Sequence, residues 1–285
     1  MLAELITITT EDKLTHFGAI YHPRRGAARA LGVVLVHGYT GSFIGEVESA
    51  LPPALAEAGY TCLVANNRGN GILGAATERF VGCLTDIRAA IDALSARGYP
   101  RIALLGHSKG GVKVAYYLSQ TRDPRVAALG LLSPAENVHG IPRWLKARTA
   151  TPTGKEMMGA ANPDGWFSMV RELVERGKAD YLFAANAWPP RRRVRQAGPY
   201  LASAGMVWDH HNTTDDDVAA LIPSLKVPKL ALCGEQETEW CTVVSGLRKE
   251  PLRGCRVEVI PGADHVYTGQ EAALAEVVLS WLESL

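Results

Sequence analysis

Residues 104–118 read LLGHSKGGVKVAYYL. An apolar run ends at Gly106, the polar trio His107-Ser108-Lys109 follows, and Gly110 and Gly111 precede a second apolar run. RIALLGH (101–107) predicts a buried strand, and the pattern from Gly111 to about Gln120 predicts a helix. Between them, Gly106-His107-Ser108-Lys109-Gly110 is G-x-S-x-G in the one context where that spacing has a mechanism. A sharp strand-to-helix turn strains the serine backbone and leaves its Oγ exposed above the sheet. Glycines two residues to either side let neighbouring backbones pass where a Cβ would collide. The amides that open the helix point at the same place and favour developing negative charge.

Working outward, the same alternation of strand and helix fills most of the 285 residues. ELITITT and KLTHFGAIYH alternate with period two around Glu11-Asp12 and predict an N-terminal hairpin. LGVVLVHG (31–38) is a continuous apolar run, which a sheet covered on both faces requires. EVESALPPALAEAG (46–59) predicts a helix closed by a glycine, and YTCLVANN (60–67) another strand. Phe80, Leu84, Ile87, Ile91 and Leu94 step by four and three along one helical face. RVAALGLLS (125–133), VPKLALCG (227–234) and CRVEVIPG (255–262) predict further strands, and a last helix begins near Gln270. The order implies an α/β fold with a mostly parallel central sheet flanked by helices.

The alternation breaks at about residue 136 and resumes near 226. That stretch holds Trp144, Trp166, Trp188 and Trp208 and is helical in places, notably at GWFSMVRELVERG (165–177). We read 1–135 with 226–285 as the core domain. Residues 136–225 form a largely helical cap insert over the C-terminal edge of the sheet, where open α/β sheets bind ligands.

Bulk composition excludes several classes of function. Thirty Lys and Arg against 29 Asp and Glu give no global attraction to nucleic acid or to an anionic membrane surface. No apolar run approaches the ~20 residues that span a bilayer, so membrane insertion is not expected. MLAELITITTEDK carries early acids and alternates like a strand rather than a signal peptide. Five cysteines with no CxxC pair read as buried free thiols, which predicts a cytoplasmic setting. No spacing argues for a metal or an organic cofactor.

A serine hydroxyl needs a base, and the base an orienting acid. Of eight histidines only His265 lies beyond the last predicted strand, in PGADHVY. His107 is inside the turn, His37 belongs to HGYTG, and His210-His211 sit in the insert. For the acid, Glu235, Glu237 and Glu239 follow Cys233-Gly234, and periodicity does not choose among them. Asp215-Asp216-Asp217 precede VAALI and read as a capped helix N-terminus rather than a cation site.

HGYTG, GHSKGG, GEQE and GADH, in this order on these elements, resemble the α/β-hydrolase superfamily over nearly the whole chain. The resemblance implies Glu237 as the acid, third after the glycine of a G-x-x-D-like turn that carries Glu here. Glu235 is the runner-up and Glu136 a remote third. It also implies two oxyanion donors, the backbone N–H groups of Lys109 and Tyr39, and a structural role for Asn67-Arg68-Gly69. HGYTGSF, NNRGNG, CLTDIRAAI, GHSKGGVKVAYY and LLSPAEN are similar to a branch of esterases that includes fungal siderophore ester hydrolases.

The expected activity is therefore hydrolysis of a small-molecule carboxylic ester by Ser108, His265 and Glu237. Rival expectations are an amidase or peptidase, a thioesterase, an acyltransferase, or a non-catalytic ligand-binding member. Between Asn137 and Leu201, eleven basic side chains face five acidic ones, a surplus of six in a chain of net charge +1. A basic insert over an acidic body would draw in an anionic ester.

Overall fold

Every residue of Leu31–Val36 (β3) is buried, and its side chains serve two cores in alternation. Val34 and Val36 face one cluster, while Val33 and Leu35 face the other. That is why the sequence reads as an unbroken apolar run, since a strand covered on both faces has no polar side. In this computed structural model, residues 2–23, 28–140, 163–185 and 200–285 are described. Trp144, Trp188 and eight of the eleven basic residues of the predicted insert lie outside them.

The sheet has eight strands in the order β1-β2-β4-β3-β5-β6-β9-β10. Leu2–Thr9 (β1) and Thr15–His22 (β2) form the expected hairpin, which joins Cys62–Ala65 (β4) antiparallel. From β4 onward, β3, Arg101–His107 (β5), Val126–Leu132 (β6), Lys229–Gly234 (β9) and Cys255–Ile260 (β10) are all parallel. One face is covered by Cys83–Ser95 (α3) and Lys109–Thr121 (α4), through Ile87, Ile91, Leu94, Val112 and Tyr116. The other is covered by Glu46–Glu57 (α1) and the C-terminal helix Glu271–Glu283, through Leu51, Leu55, Val278 and Trp281. Cys62, Cys83, Cys233 and Cys241 are buried free thiols, and Cys255 is half-buried.

Two details differ from the sequence expectation. Residues 80–82 form a separate 3₁₀ turn ahead of α3, which keeps the apolar face but shortens the helix. The region between β6 and β9, expected to be largely helical, also holds two strands. Beside the helices Pro163–Glu175 and Ala204–Asn212 it holds a two-stranded antiparallel ribbon, Leu182–Ala185 (β7) with Tyr200–Ser203 (β8). Strands of four residues carry too little alternation to be read from sequence. Val170, Ala202, Met206 and Val207 make a small third cluster, against which Tyr39 packs. Among the described residues no helix is long and apolar enough to cross a membrane.

The turn from β5 to α4 is the tightest point. A Cβ on Gly106 would run into the Gly110 backbone, one on Gly110 into the Val36 carbonyl, and one on Gly111 would stand 2.8 Å from Pro134 Cβ. Gly110→Ala should therefore destabilise the protein by at least about 1–3 kcal/mol, because backbone rather than side chain must yield. Gly246, inside the helix Thr242–Lys249, has nothing within 4 Å of such a Cβ, so Gly246→Ala should be neutral or stabilising by up to about 1 kcal/mol. Urea denaturation of the two variants checks the contrast, and equal midpoints would contradict it.

Candidate active site

Ser108 stands between β5 and α4 with φ 55° and ψ −122°, a conformation that a residue with a Cβ adopts only when held there. It is held from both sides. Its N–H donates to the Leu132 carbonyl (2.9 Å), and its own carbonyl accepts from Gly111 (2.9 Å) and Ala135 (3.1 Å). The loop after β10 brings His265 over this turn, with Nε2 3.0 Å from Ser108 Oγ. The 3₁₀ turn Glu235–Glu237 after β9 places Glu237 Oε2 2.7 Å from His265 Nδ1. The imidazole is 35% exposed and the carboxylate 1%, so the pair is open on the serine side and dry on the acid side.

Glu237 Oε1 accepts from the Gly234 N–H (3.0 Å) and from the Ser133 hydroxyl. Burial pushes the Glu237 carboxyl up, but the His265 hydrogen bond and charge, with Ser133 and Gly234, hold it below the usual carboxylate range. The alternatives lie elsewhere. Glu235 is exposed and accepts from the Gly262 N–H (2.8 Å), Glu239 is exposed, and Glu136 is exposed with its carbonyl bonded to Val218. Of these four carboxylates only Glu237 reaches His265.

The HGYTG loop lies directly beside the serine. A Cβ on Gly38 would stand 2.8 Å from Ser108 Cβ and 3.3 Å from its Oγ, so glycine there lets Tyr39 follow close by. The NNRGNG segment braces this loop, through Asn70 Nδ2 (2.9 Å) and Gly71 N (3.1 Å) donating to the Gly41 carbonyl. Arg68 in turn pairs with Asp86 and Asp12, so Asn67-Arg68-Gly69 has a bracing part in the structure. Asp217 caps the helix Val218–Leu221, and Asp216 is buried on the Val138 N–H and the His139 ring. Among the described residues no group of His, Cys, Asp and Glu could hold a metal ion.

Sequence reasoning missed the side chain of Lys109. Its ammonium is buried, 2.5 Å from Glu78 and 2.7 Å from His210 Nε2. It also lies 5.4 Å from the centroid of the Tyr39 ring. Lys113, one turn on, is 2.5 Å from the other Glu78 oxygen. An ammonium can only donate, so His210 accepts at Nε2 and is neutral, with its proton on Nδ1 beside Asp209 (3.3 Å). The i, i+4 spacing of the two lysines was visible, but their common partner sits on a distant loop. His107, also missed, donates from Nε2 to the His265 carbonyl (2.9 Å) and ties that loop to the serine turn.

The family model for the alpha/beta hydrolase fold matches residues 33–266. The chain belongs to this family. It is 24% identical over 290 residues to a Bacillus subtilis (strain 168) protein provisionally named 2-succinyl-6-hydroxy-2,4-cyclohexadiene-1-carboxylate synthase, covering 98% of this chain and 99% of that one. The structure of Est1E from Butyrivibrio proteoclasticus with ferulic acid bound superposes with a TM-score of 0.67 at 20% identity, over 98% of both chains. The hypothetical protein PA2218 of Pseudomonas aeruginosa gives 0.70 at 14% identity, covering 100% of this chain and 94% of that one. These likenesses show the fold.

Buried titratable groups set a pH limit on the fold. Burial lowers His37 and His107 to about 3 and His210 to about 4, and raises Glu48 to about 7. Below pH ~6.5 the unfolded chain protonates three imidazoles that the native chain keeps neutral, whereas native Glu48 retains a proton that the unfolded chain releases above ~4.3. Depressed histidines contribute stability above their unfolded pKa and lose it as pH falls, and Glu48 partly offsets the loss. Stability should therefore drop between pH 6.5 and 4.5 with a slope approaching two protons, about 2.7 kcal/mol per pH unit. Urea midpoints at pH 7 and pH 5 test this, and a higher midpoint at pH 5 would reverse the sign.

Proposed function

We propose that the protein is a serine hydrolase that cleaves a carboxylic ester through an acyl-enzyme, with Ser108 as nucleophile, His265 as base and Glu237 as its orienting acid. The observation that carries this reading is the unbroken contact from Ser108 Oγ to His265 to Glu237 at 3.0 and 2.7 Å, on a turn that fixes the serine backbone. Membership of the hydrolase family supports it.

In the proposed reaction Ser108 Oγ attacks the acyl carbonyl while His265 Nε2 takes its proton. Glu237, ionised and buried, stabilises the imidazolium formed. The amides of Lys109 and Tyr39 receive the developing oxyanion, and the helix that begins at Lys109 adds its dipole. His265 then protonates the leaving alcohol, and a water repeats the sequence on the acyl-enzyme. Residues 136–225 serve as the cap over this site, consistent with the packing of Tyr39 on their apolar cluster. Five free thiols suit a reducing cytoplasm.

A second reading, a synthase reaction served by the same three side chains, is favoured by the full-length similarity to the Bacillus subtilis protein. The test is labelling by a fluorophosphonate together with a burst on a p-nitrophenyl ester. Ser108→Ala should abolish both and lower turnover by several orders of magnitude with folding unchanged. Glu237→Gln should lower kcat far more than Glu235→Gln, with KM little altered. A labelled serine without an ester burst would favour the synthase reading.

The substrate's charge is part of the proposal, namely that an anionic small ester is drawn in by the basic surplus of residues 137–201. Among the described ones Arg176 and Arg171 lie by Glu172 and Glu175, at 2.6 and 3.7 Å, and Lys178 by the Tyr181 ring. Only the two arginines are offset by carboxylates, so the surplus rests on Lys178 and the remaining eight. Esters bearing a carboxylate should be preferred over neutral ones of equal size, and their kcat/KM should fall as salt rises toward ~0.15 M. An equal salt response for both would exclude steering.

A further inference from the structure

Two buried hydroxyls behind the acid share a strained backbone. Ser133, directly after β6, has φ 44°, and Tyr267, two residues past His265, has φ 60°. They are 1% and 0% exposed. Positive φ costs a residue with a Cβ on the order of 1–3 kcal/mol and persists where surrounding contacts impose it. Here the contacts are backbone bonds from Ser133 N to the Leu232 carbonyl (2.7 Å), from Tyr267 N to Asp264 (3.1 Å) and from Gln270 N to Tyr267 (2.8 Å). Both turns aim their hydroxyls at one another, 2.6 Å apart, and Ser133 Oγ also meets Glu237 Oε1.

The direction of these bonds follows from counting protons. An ionised carboxylate only accepts, so the single Ser133 proton goes to Glu237 Oε1. Ser133 Oγ can then only accept from Tyr267, whose phenol must donate. Burial holds that phenol well above its ordinary value, so it stays protonated.

We propose that Ser133 and Tyr267 are positioning residues that act through Glu237, a hydroxyl relay that fixes the plane of the carboxylate and keeps it ionised against His265. This rests on Glu237 being the acid. Without the relay, Oε1 would keep only the Gly234 amide, and the buried carboxylate would lose a charge-assisted hydrogen bond that favours its ionised form. The other titratable groups that face Glu237 are His265, Cys233 and Cys241, with His107 beyond His265. Neither thiol donates to its carboxylate.

The experiment is the pH profile of ester hydrolysis by Ser133→Ala and Tyr267→Phe, each of which keeps the Cβ and the backbone strain. Ser133→Ala should lower kcat about tenfold with KM within about twofold, the scale of one hydrogen bond to a charged group. Losing the Ser133 donor removes one of the contacts that hold the Glu237 carboxyl down, so the acidic limb of kcat/KM should move to higher pH by about half a unit. Tyr267→Phe should shift both in the same direction by less. A folded Ser133→Ala protein with the parent's kcat and acidic limb overturns the relay. Should that variant fail to fold, an unchanged profile in Tyr267→Phe overturns it instead. Loss of activity in Ser108→Ala beside unchanged relay variants refutes the relay alone, whereas full activity in Ser108→Ala overturns the triad and the relay with it.

Discussion

Everything in the site is built around the crowding of three backbones at one turn. β3, β5 and the start of α4 approach so closely that Gly106 and Gly110 can carry no side chain, and the chain must reverse through Ser108 at φ 55°. The same crowding puts Gly38 against the serine. The parallel order β5-β6-β9-β10 then does the rest. Parallel neighbours end on the same edge, so the loops bearing Ser108, Ser133, Glu237 and His265 converge although the residues span positions 108 to 265.

A second layer of constraint is electrostatic. Lys109 follows the serine, and its side chain is neutralised by Glu78 from one loop and capped by His210 from the helix Ala204–Asn212. One residue thus contributes its amide to the serine turn and its ammonium to the contact with the segment between β6 and β9. Buried ions of this kind add little net stability, but removing one partner strands the others in a dry site. The arrangement favours a single seating of that helix against the turn.

The fold was legible because its signals are local and repeated. β3 and β5 are long apolar runs, the glycines of 106–111 mark a turn, and the helix faces at 80–94 and 270–283 keep their period. The placement of Ser108 and His265 followed from chain order, and Glu237 from resemblance alone, because three glutamates alternate along GEQETE. What resisted reading was tertiary. Ser133 looks like the end of a strand, Tyr267 like a loop aromatic, and His210 like one of an adjacent pair in the insert. Their partners lie 104, 134 and 101 residues away. The ribbon β7–β8 was missed for another reason, since strands of four residues give too short a sample of alternation.

The cysteines carry a practical consequence. Four of the five thiols are sealed in the two faces of the sheet or beneath the acid turn, and only Cys255, on the edge strand β10, is partly open. Burial lifts the Cys62 and Cys83 thiols, Cys83 to about 12, which suppresses the reactive thiolate. A thiol-directed reagent therefore meets at most one ready site in the folded chain and five in the opened one. The molecule carries its own unfolding reporter, one that needs no added label and distinguishes a loosened edge from a breached interior by stoichiometry.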